Sequence, residues 1–315
     1  EETMKTLIVG TGIIGTLYGW ALSEAGIDVT HYARPGKAAQ FQAGVRLDVL
    51  DERRGHTKQA ITTYLLKCVE EVSPADGYEL VVVPTSAYQV ESALQALVPH
   101  TGEAGFLIFT ANWRGAGCLD AHLPRSHYVV GYPDGGGTLR DGVYWTNLGA
   151  QPHLGTVDAQ GDALLDRVRR LFAGADMEPD LQANILHWLW LHNATTTPFQ
   201  LGFARYRQIG PFLRDRALVR QCYVATRECI ELCSRRGVRA QDYPEAGSFN
   251  LPAWLFFIMF RLLYATNASM QRYTAHAVES LREAKTSYLD ILQTARECGL
   301  PMPQMEALGA YIQDI

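Results

Sequence analysis

Cysteine is scarce and never arranged for pairing. The chain has six, with no CxxC pair and no Cys/His cluster at zinc spacing. That excludes a disulfide-framed secreted scaffold and a structural zinc site, so no metal is expected and the cytoplasm is the expected compartment. Cys222, Cys229 and Cys233 fall near one face of a helical stretch, where free cysteine acts as a small buried hydrophobe. Dense Lys/Arg runs are missing too, and the net charge is −5, which excludes nucleic acid as the expected partner. No apolar run is long enough to span a bilayer. The longest, "LPAWLFFIMFRLLYA" (251–265), is too short and is interrupted by Arg261. It reads as a buried helix at a domain or subunit interface, away from any membrane and compatible with a homodimer. The opening "EETMKTLIVG" has no basic segment before a long apolar core, so no signal peptide is expected. Met4 is the expected native start. Internal repeats and low-complexity segments are absent.

What is present suits two domains: 315 residues, 47% hydrophobic and 19% charged. "TLIVG", "DVTHYA", "YELVVVP" and "GFLIFT" read as strands buried on both faces of a parallel sheet. "SAYQVESALQALV" and "ALLDRVRRLFAGA" show helical spacing, while "RSHYVVGYP", "GVYWTNLGA" and "PHLGTV" read as further strands completing the sheet. From about residue 180 the β signals stop, and helices are expected over 181–203, 212–236, 252–265 and 270–298. In the first of these, Pro198 is expected to close the segment "ILHWLWLHNATTTPFQ"; Asp180 and Asn250 are expected near helix starts as caps. The fold class is therefore α/β: a Rossmann-type dinucleotide-binding domain over 1–178, then an all-helical substrate or dimerisation domain over 179–315. Ligands favour the cleft between two such domains.

"TLIVGTGIIGTLYGWALSEAG" carries Gly10-x-Gly12-x-x-Gly15 between a short apolar strand and a helix. Gly10 permits the tight turn, Gly12 lets backbone approach a pyrophosphate, and Gly15 allows close helix-on-strand packing. Ile13 and Ile14 lie at the helix start, whose free N–H groups and positive dipole end suit phosphates. Gly19, one turn on, is expected to serve packing. NAD sites usually end the second strand with an acid that binds the ribose hydroxyls. Here "DVTHYARPGK" ends without one. The Arg34 guanidinium instead fits a 2′-phosphate, with Lys37 as a second charge, so NADP is the expected cofactor. The alternative is that Arg34 is an ordinary solvated loop residue.

These residues, with "LVVVPTSAYQV", the asparagine after "FLIFTA", the helix around Asn193 and "NASM" at 267–270, resemble the ketopantoate reductase family. Its members reduce 2-dehydropantoate to pantoate with NADPH. The resemblance implies that Ala33-Arg34 meets the 2′-phosphate and that Asn112 lies near the nicotinamide and the substrate. It also implies that Ser86 stands where the family carries a lysine beside the cofactor, and that Trp113 replaces a glycine. The family helix reads K-x-x-x-N-x-x-x-N-P, with the lysine as general acid. Residues four apart share a helix face. Setting Pro198 on the motif's proline puts Thr197 on the second asparagine, Asn193 on the first and Leu189 on the lysine. The acid is replaced by an apolar residue.

His192, about 60° around the helix from Leu189, is a competent acid near neutral pH, or else a structural or interface residue. His187 faces elsewhere and is expected to be satisfied in the core. Glu283, with Lys285 nearby, falls where the family places a substrate-contacting glutamate. Asn267 and Ser269 match a segment that binds substrate carboxylate and hydroxyl, or else serve as helix caps. Catalysis is thus expected from Asn112, Asn193, His192 and Glu283, and substrate binding from Asn193, Thr197, Asn267 and Ser269. The expected function is NADPH-dependent reduction of a small carbonyl compound, a 2-oxo acid or a relative, with pantothenate biosynthesis as the family's setting. A non-enzymatic NADP sensor or partner-binding protein on the same fold, and an opine-dehydrogenase-like enzyme, stay open.

Overall fold

The computed structural model describes residues 3–313, apart from the side chains of 276–279. Two compact units divide the chain. One runs to Ala111 and again from Gly115 to Ile185; the other takes Asn112–Arg114 and everything from Leu186 on. The first unit thus reaches past residue 178, and a three-residue loop between its own strands belongs to the second.

The first unit begins β1 (Thr6–Val9), α1 (Ile13–Glu24), β2 (Val29–Tyr32), β3 (Val45–Asp51), β4 (Lys58–Tyr64), β5 (Lys67–Val69), β6 (Leu80–Val83). It continues α2 (Val90–Leu97), β7 (Gly105–Phe109), α3 (Gly117–Asp120), β8 (Tyr128–Tyr132), β9 (Gly135–Arg140), β10 (Val143–Leu148), β11 (His153–Gly155), α4 (Asp162–Gly174) and β12 (Asp180–Leu181). The main sheet has the order β12-β11-β8-β7-β6-β1-β2-β5. From β8 to β5 every pairing is parallel, and β11 alone runs antiparallel to its neighbour β8. β1, β6 and β7 are buried almost throughout, as strands covered on both faces must be. Tyr18 of α1 meets Phe109 of β7 edge-on at 4.8 Å, with Phe172 of α4 closing the cluster.

Two expectations fail in this unit. "GVYWTNLGA" forms β10 outside the main sheet: it pairs parallel with β3 and antiparallel with β9 in a separate sheet, β4-β3-β10-β9. Asp180 caps no helix, because it pairs in β12 beside His153.

The second unit is helical: α5 (Ile185–Tyr206), α6 (Ile209–Arg214), α7 (Arg216–Arg235), α8 (Ala253–Thr266), α9 (Ala268–Glu279), α10 (Leu281–Glu297) and α11 (Pro303–Leu308). Pro198 does not end α5 but lies inside it. The helix expected over 212–236 is broken at Asp215, whose non-helical backbone lets its carboxylate accept from the Leu218 N–H and cap α7. The stretch expected over 270–298 likewise divides, at Ser280. Pro252, not Asn250, stands at the N-cap of α8. Cys222, Cys229 and Cys233 are buried and unbridged, and burial pushes the Cys233 thiol up to about 12.

α8 departs most from expectation. Phe256 and Tyr264 are buried, but Trp254, Ile258, Met259, Leu262 and Leu263 are exposed. One face packs on the Phe199–Phe212 cluster, and no described residue of the unit covers the other. Among the described residues no single helix is long and apolar enough to cross a membrane; α8 and the first part of α9 reach that length only as a pair bent by 94°.

Candidate active site

In the first unit, Gly10 has φ +87°, the left-handed conformation the turn requires, and a Cβ placed there or at Gly12 would meet nothing within 4 Å. Gly12 is the N-cap of α1 and offers no side chain to its N–H groups, so the first turn with Ile13, Ile14 and Gly15 presents open donors and no acid. At Gly15 a Cβ would lie 3.1 Å from Ile8 Cγ2 and 3.2 Å from the Gly10 carbonyl, so here glycine serves helix-on-strand packing. An open cradle ending on an uncapped helix start suits a pyrophosphate.

The loop is held by residues that motif reading missed. The Gly10 N–H donates to the Tyr32 carbonyl at 2.8 Å, and the Gly10 carbonyl lies 2.9 Å from His31 Nδ1. His31 Nε2 lies 3.2 Å from the Tyr64 hydroxyl, which in turn is 3.1 Å from that of Ser23. Only one proton arrangement serves every link with neutral imidazole: Ser23 donates to Tyr64, Tyr64 to Nε2, and Nδ1–H to Gly10. Burial holds the imidazole below its usual range against the opposing pull of the Gly10 carbonyl. Gly19 does serve packing, since a Cβ there would collide with His31 Nε2.

Arg34 and Lys37 are exposed on the turn after β2. The Glu70 carboxylate holds that turn by accepting from the Gly36 and Ala38 N–H groups at 2.8 and 2.7 Å, which lowers its own pKa. Ser86, half-buried, precedes a 3-10 turn after β6.

In the second unit Asn112 is buried, and the segment it begins is moored by three contacts. Trp113 Nε1 donates to the Thr294 hydroxyl at 2.9 Å. Arg114 binds both oxygens of Asp290, and Arg236 donates to the Trp113 carbonyl at 3.0 Å. The Arg236 guanidinium lies 4.6 Å from the Trp113 ring and 3.5 Å from that of Trp190, and its second terminal nitrogen is buried with no hydrogen-bond partner among the described residues. Burial, then Arg236, holds the half-buried His187 below its usual range.

On α5, Leu189 is fully buried, and the buried Asn193 donates its amide back to the Leu189 carbonyl at 2.8 Å. Thr197 is buried. His192 is half-buried and stacks on Trp188, centroids 5.0 Å apart, while Trp188 donates to Glu245. Asn267 caps α9, its Oδ1 accepting from the Met270 N–H at 2.9 Å, and it is exposed. Ser269 follows in the first turn of α9, and Glu283 sits in the first turn of α10.

Similarity to known proteins agrees with this geometry. The profile described as "Ketopantoate reductase PanE/ApbA" matches residues 6–150. A 2-dehydropantoate 2-reductase of Pyrococcus abyssi is 25% identical over 191 residues, 59% of this chain and 59% of that protein, so the match covers less than two thirds of the relative. A solved 2-dehydropantoate 2-reductase of Geobacter metallireducens shares the fold at TM-score 0.74 and 16% identity, over 98% of this chain and 99% of that one. D-mandelate dehydrogenase, solved with NADH and anilino(oxo)acetate, shares it at TM-score 0.74 and 13% identity, over 98% and 96%. The chain is thus similar in sequence to ketopantoate reductases over residues 6–150 and shares their fold across nearly its whole length.

Proposed function

We propose that the protein is an NADPH-dependent oxidoreductase that reduces the keto group of a 2-oxo acid or a closely related carbonyl compound. The observation that carries this reading is the Gly10–Gly15 cradle, open over Gly10 and Gly12, packed tight at Gly15 and ending on the uncapped start of α1. Gly10, Gly12, Ile13, Ile14 and Gly15 would hold the pyrophosphate, Arg34 and Lys37 the 2′-phosphate, and Ser86 and Asn112 the nicotinamide end. The bound dinucleotide supplies hydride.

The remaining work falls to the second unit's side chains. Asn193 has one amide N–H committed to Leu189; its other N–H can meet a carbonyl oxygen, with Thr197 one turn further along. Leu189 can give no proton. Of the two histidines on this helix, His192 is the one about 60° around from Leu189, and histidine is a competent general acid. Asn267, Ser269 and Glu283 are assigned to the substrate's carboxylate and hydroxyl groups, with Asn267 already committed in part to its helix cap. The substrate is small, and the reaction suits the cytoplasm. Should it be ketopantoate, the reaction belongs to pantothenate biosynthesis. The test is NADPH oxidation across a panel of 2-oxo acids that includes ketopantoate and aryl 2-oxo acids; the reading requires turnover of at least one.

A second reading, an NADP-binding sensor without turnover, is favoured by the buried Leu189 at the acid's place. It requires NADPH binding with no consumption across the same panel.

A further inference from the structure

A groove of about 990 Å³ opens in the second unit between α6, the first half of α7, and α8. Its wall includes Trp254, Ile258 and Leu262, spaced at four residues on α8 and 66, 54 and 61% exposed. Arg214, Arg216, Arg220 and Arg261 also line it, and no carboxylate among the described residues does. None of these four guanidiniums makes a side-chain hydrogen bond or ion pair among the described residues, whereas Arg114, Arg125 and Arg205 are all matched by carboxylates. Arg216 and Arg261 each lie 5.5 Å from the Phe257 ring, so two cations are drawn to one aromatic with no anion to balance them. Asp215 is adjacent in sequence, but its carboxylate serves the Leu218 N–H, the Tyr206 hydroxyl and Arg205.

The volume lies in the range of small-molecule sites, which are mostly apolar with a few placed polar groups. We infer that this groove binds a free long-chain carboxylate, the chain along Trp254, Ile258 and Leu262 and the head between the arginines of α7 and α8. Guanidinium takes carboxylate bidentately, which a neutral head cannot reproduce. A second copy meeting this face with the same face would add further unpaired guanidiniums to it, a like-charge juxtaposition that opposes that self-contact. A bilayer surface cannot enter a concave groove, whereas a single chain can. The inference is independent of the dinucleotide reading and involves none of its residues.

The test is calorimetric titration of the full chain with dodecanoate, dodecanol and dodecyltrimethylammonium below their aggregation concentrations. Dodecanoate should bind at least about tenfold more tightly than the alcohol, and the cation should not bind measurably. Arg216→Ala with Arg220→Ala should remove that preference, and the uncharged Ile258→Asn, at a position 54% exposed, should weaken dodecanoate and dodecanol alike. Equal affinity for acid and alcohol, an unchanged double variant, or binding to anionic vesicles without binding of dodecanoate would each overturn it. So would light scattering that finds a dimer which Ile258→Asn dissociates and dodecanoate does not, since the face would then be a self-contact.

Discussion

His31 Nδ1 lies 2.9 Å from the carbonyl oxygen of Gly10, so a buried imidazole on the second strand holds the turn that opens the candidate phosphate loop. Neutral imidazole does this best, and burial keeps it neutral by holding its pKa below the usual value. The unfolded chain therefore takes up this proton first as pH falls. The stabilisation is present in full above the unfolded value of about 6.5 and declines as pH drops through it. Thermal melts between about pH 8 and 5 should show a steeper acid-side loss for wild type than for His31→Asn, whose amide can donate to Gly10 and cannot titrate. Parallel slopes would remove His31 from the account.

Gly19→Ala tests the same contact sterically. Its new methyl meets His31 Nε2 inside a packed layer, and overpacking of this kind costs about 1–3 kcal/mol. A lower melting temperature and weaker dinucleotide binding are expected together. A variant as stable as wild type would mean the helix shifts freely.

Arg236→Lys keeps the charge but loses the planar group set between Trp113 and Trp190. The Trp113 carbonyl then lacks its 3.0 Å partner, and the loop carrying Asn112 loosens. Expected are a stability loss of about 1–3 kcal/mol and a fall in kcat/KM for the carbonyl substrate, with a smaller loss of NADPH affinity, since Asn112 would meet only the nicotinamide end. Unchanged kinetics in a folded variant would show that the loop needs no such anchor.

His192→Ala should lower kcat for the carbonyl substrate by about 10²–10⁴-fold with a smaller effect on KM, as loss of a general acid does. Ketopantoate reduction by the wild type should itself be slower than in a lysine-bearing relative by about the same factor. Turnover insensitive to His192→Ala would leave proton delivery to water. Leu189→Lys tests the lost acid from the other side, and because Leu189 is fully buried the new ammonium should also lower the melting temperature.

What the sequence disclosed was local. Gly10, Gly12 and Gly15 could be given separate tasks because a turn, an open approach and a helix contact are set by residues a few positions apart. α8 is placed by its apolar run, but no sequence pattern says what covers an apolar face, and among the described residues its outer side is exposed. β10 was legible as a strand and not as a member of a second sheet, since its pairing with β3 spans almost a hundred residues. His31, Glu70 and Arg236 belong to no motif; each matters through a carbonyl or N–H group that the fold brings to it. Pro198 would ordinarily end a helix, yet α5 continues to Tyr206 with Phe199, Leu201 and Phe203 buried beyond it; tertiary packing there outweighs the lost hydrogen bond.

The most direct test of the central claim is a titration of NADPH and NADH against wild type and Arg34→Ala, followed by NADPH oxidation with the 2-oxo acid panel. NADPH should bind about ten- to a hundredfold more tightly than NADH, the preference should vanish in Arg34→Ala, and at least one 2-oxo acid should be reduced. Equal affinity for the two dinucleotides in the wild type, or tight NADPH binding with no oxidation by any 2-oxo acid, would contradict the account.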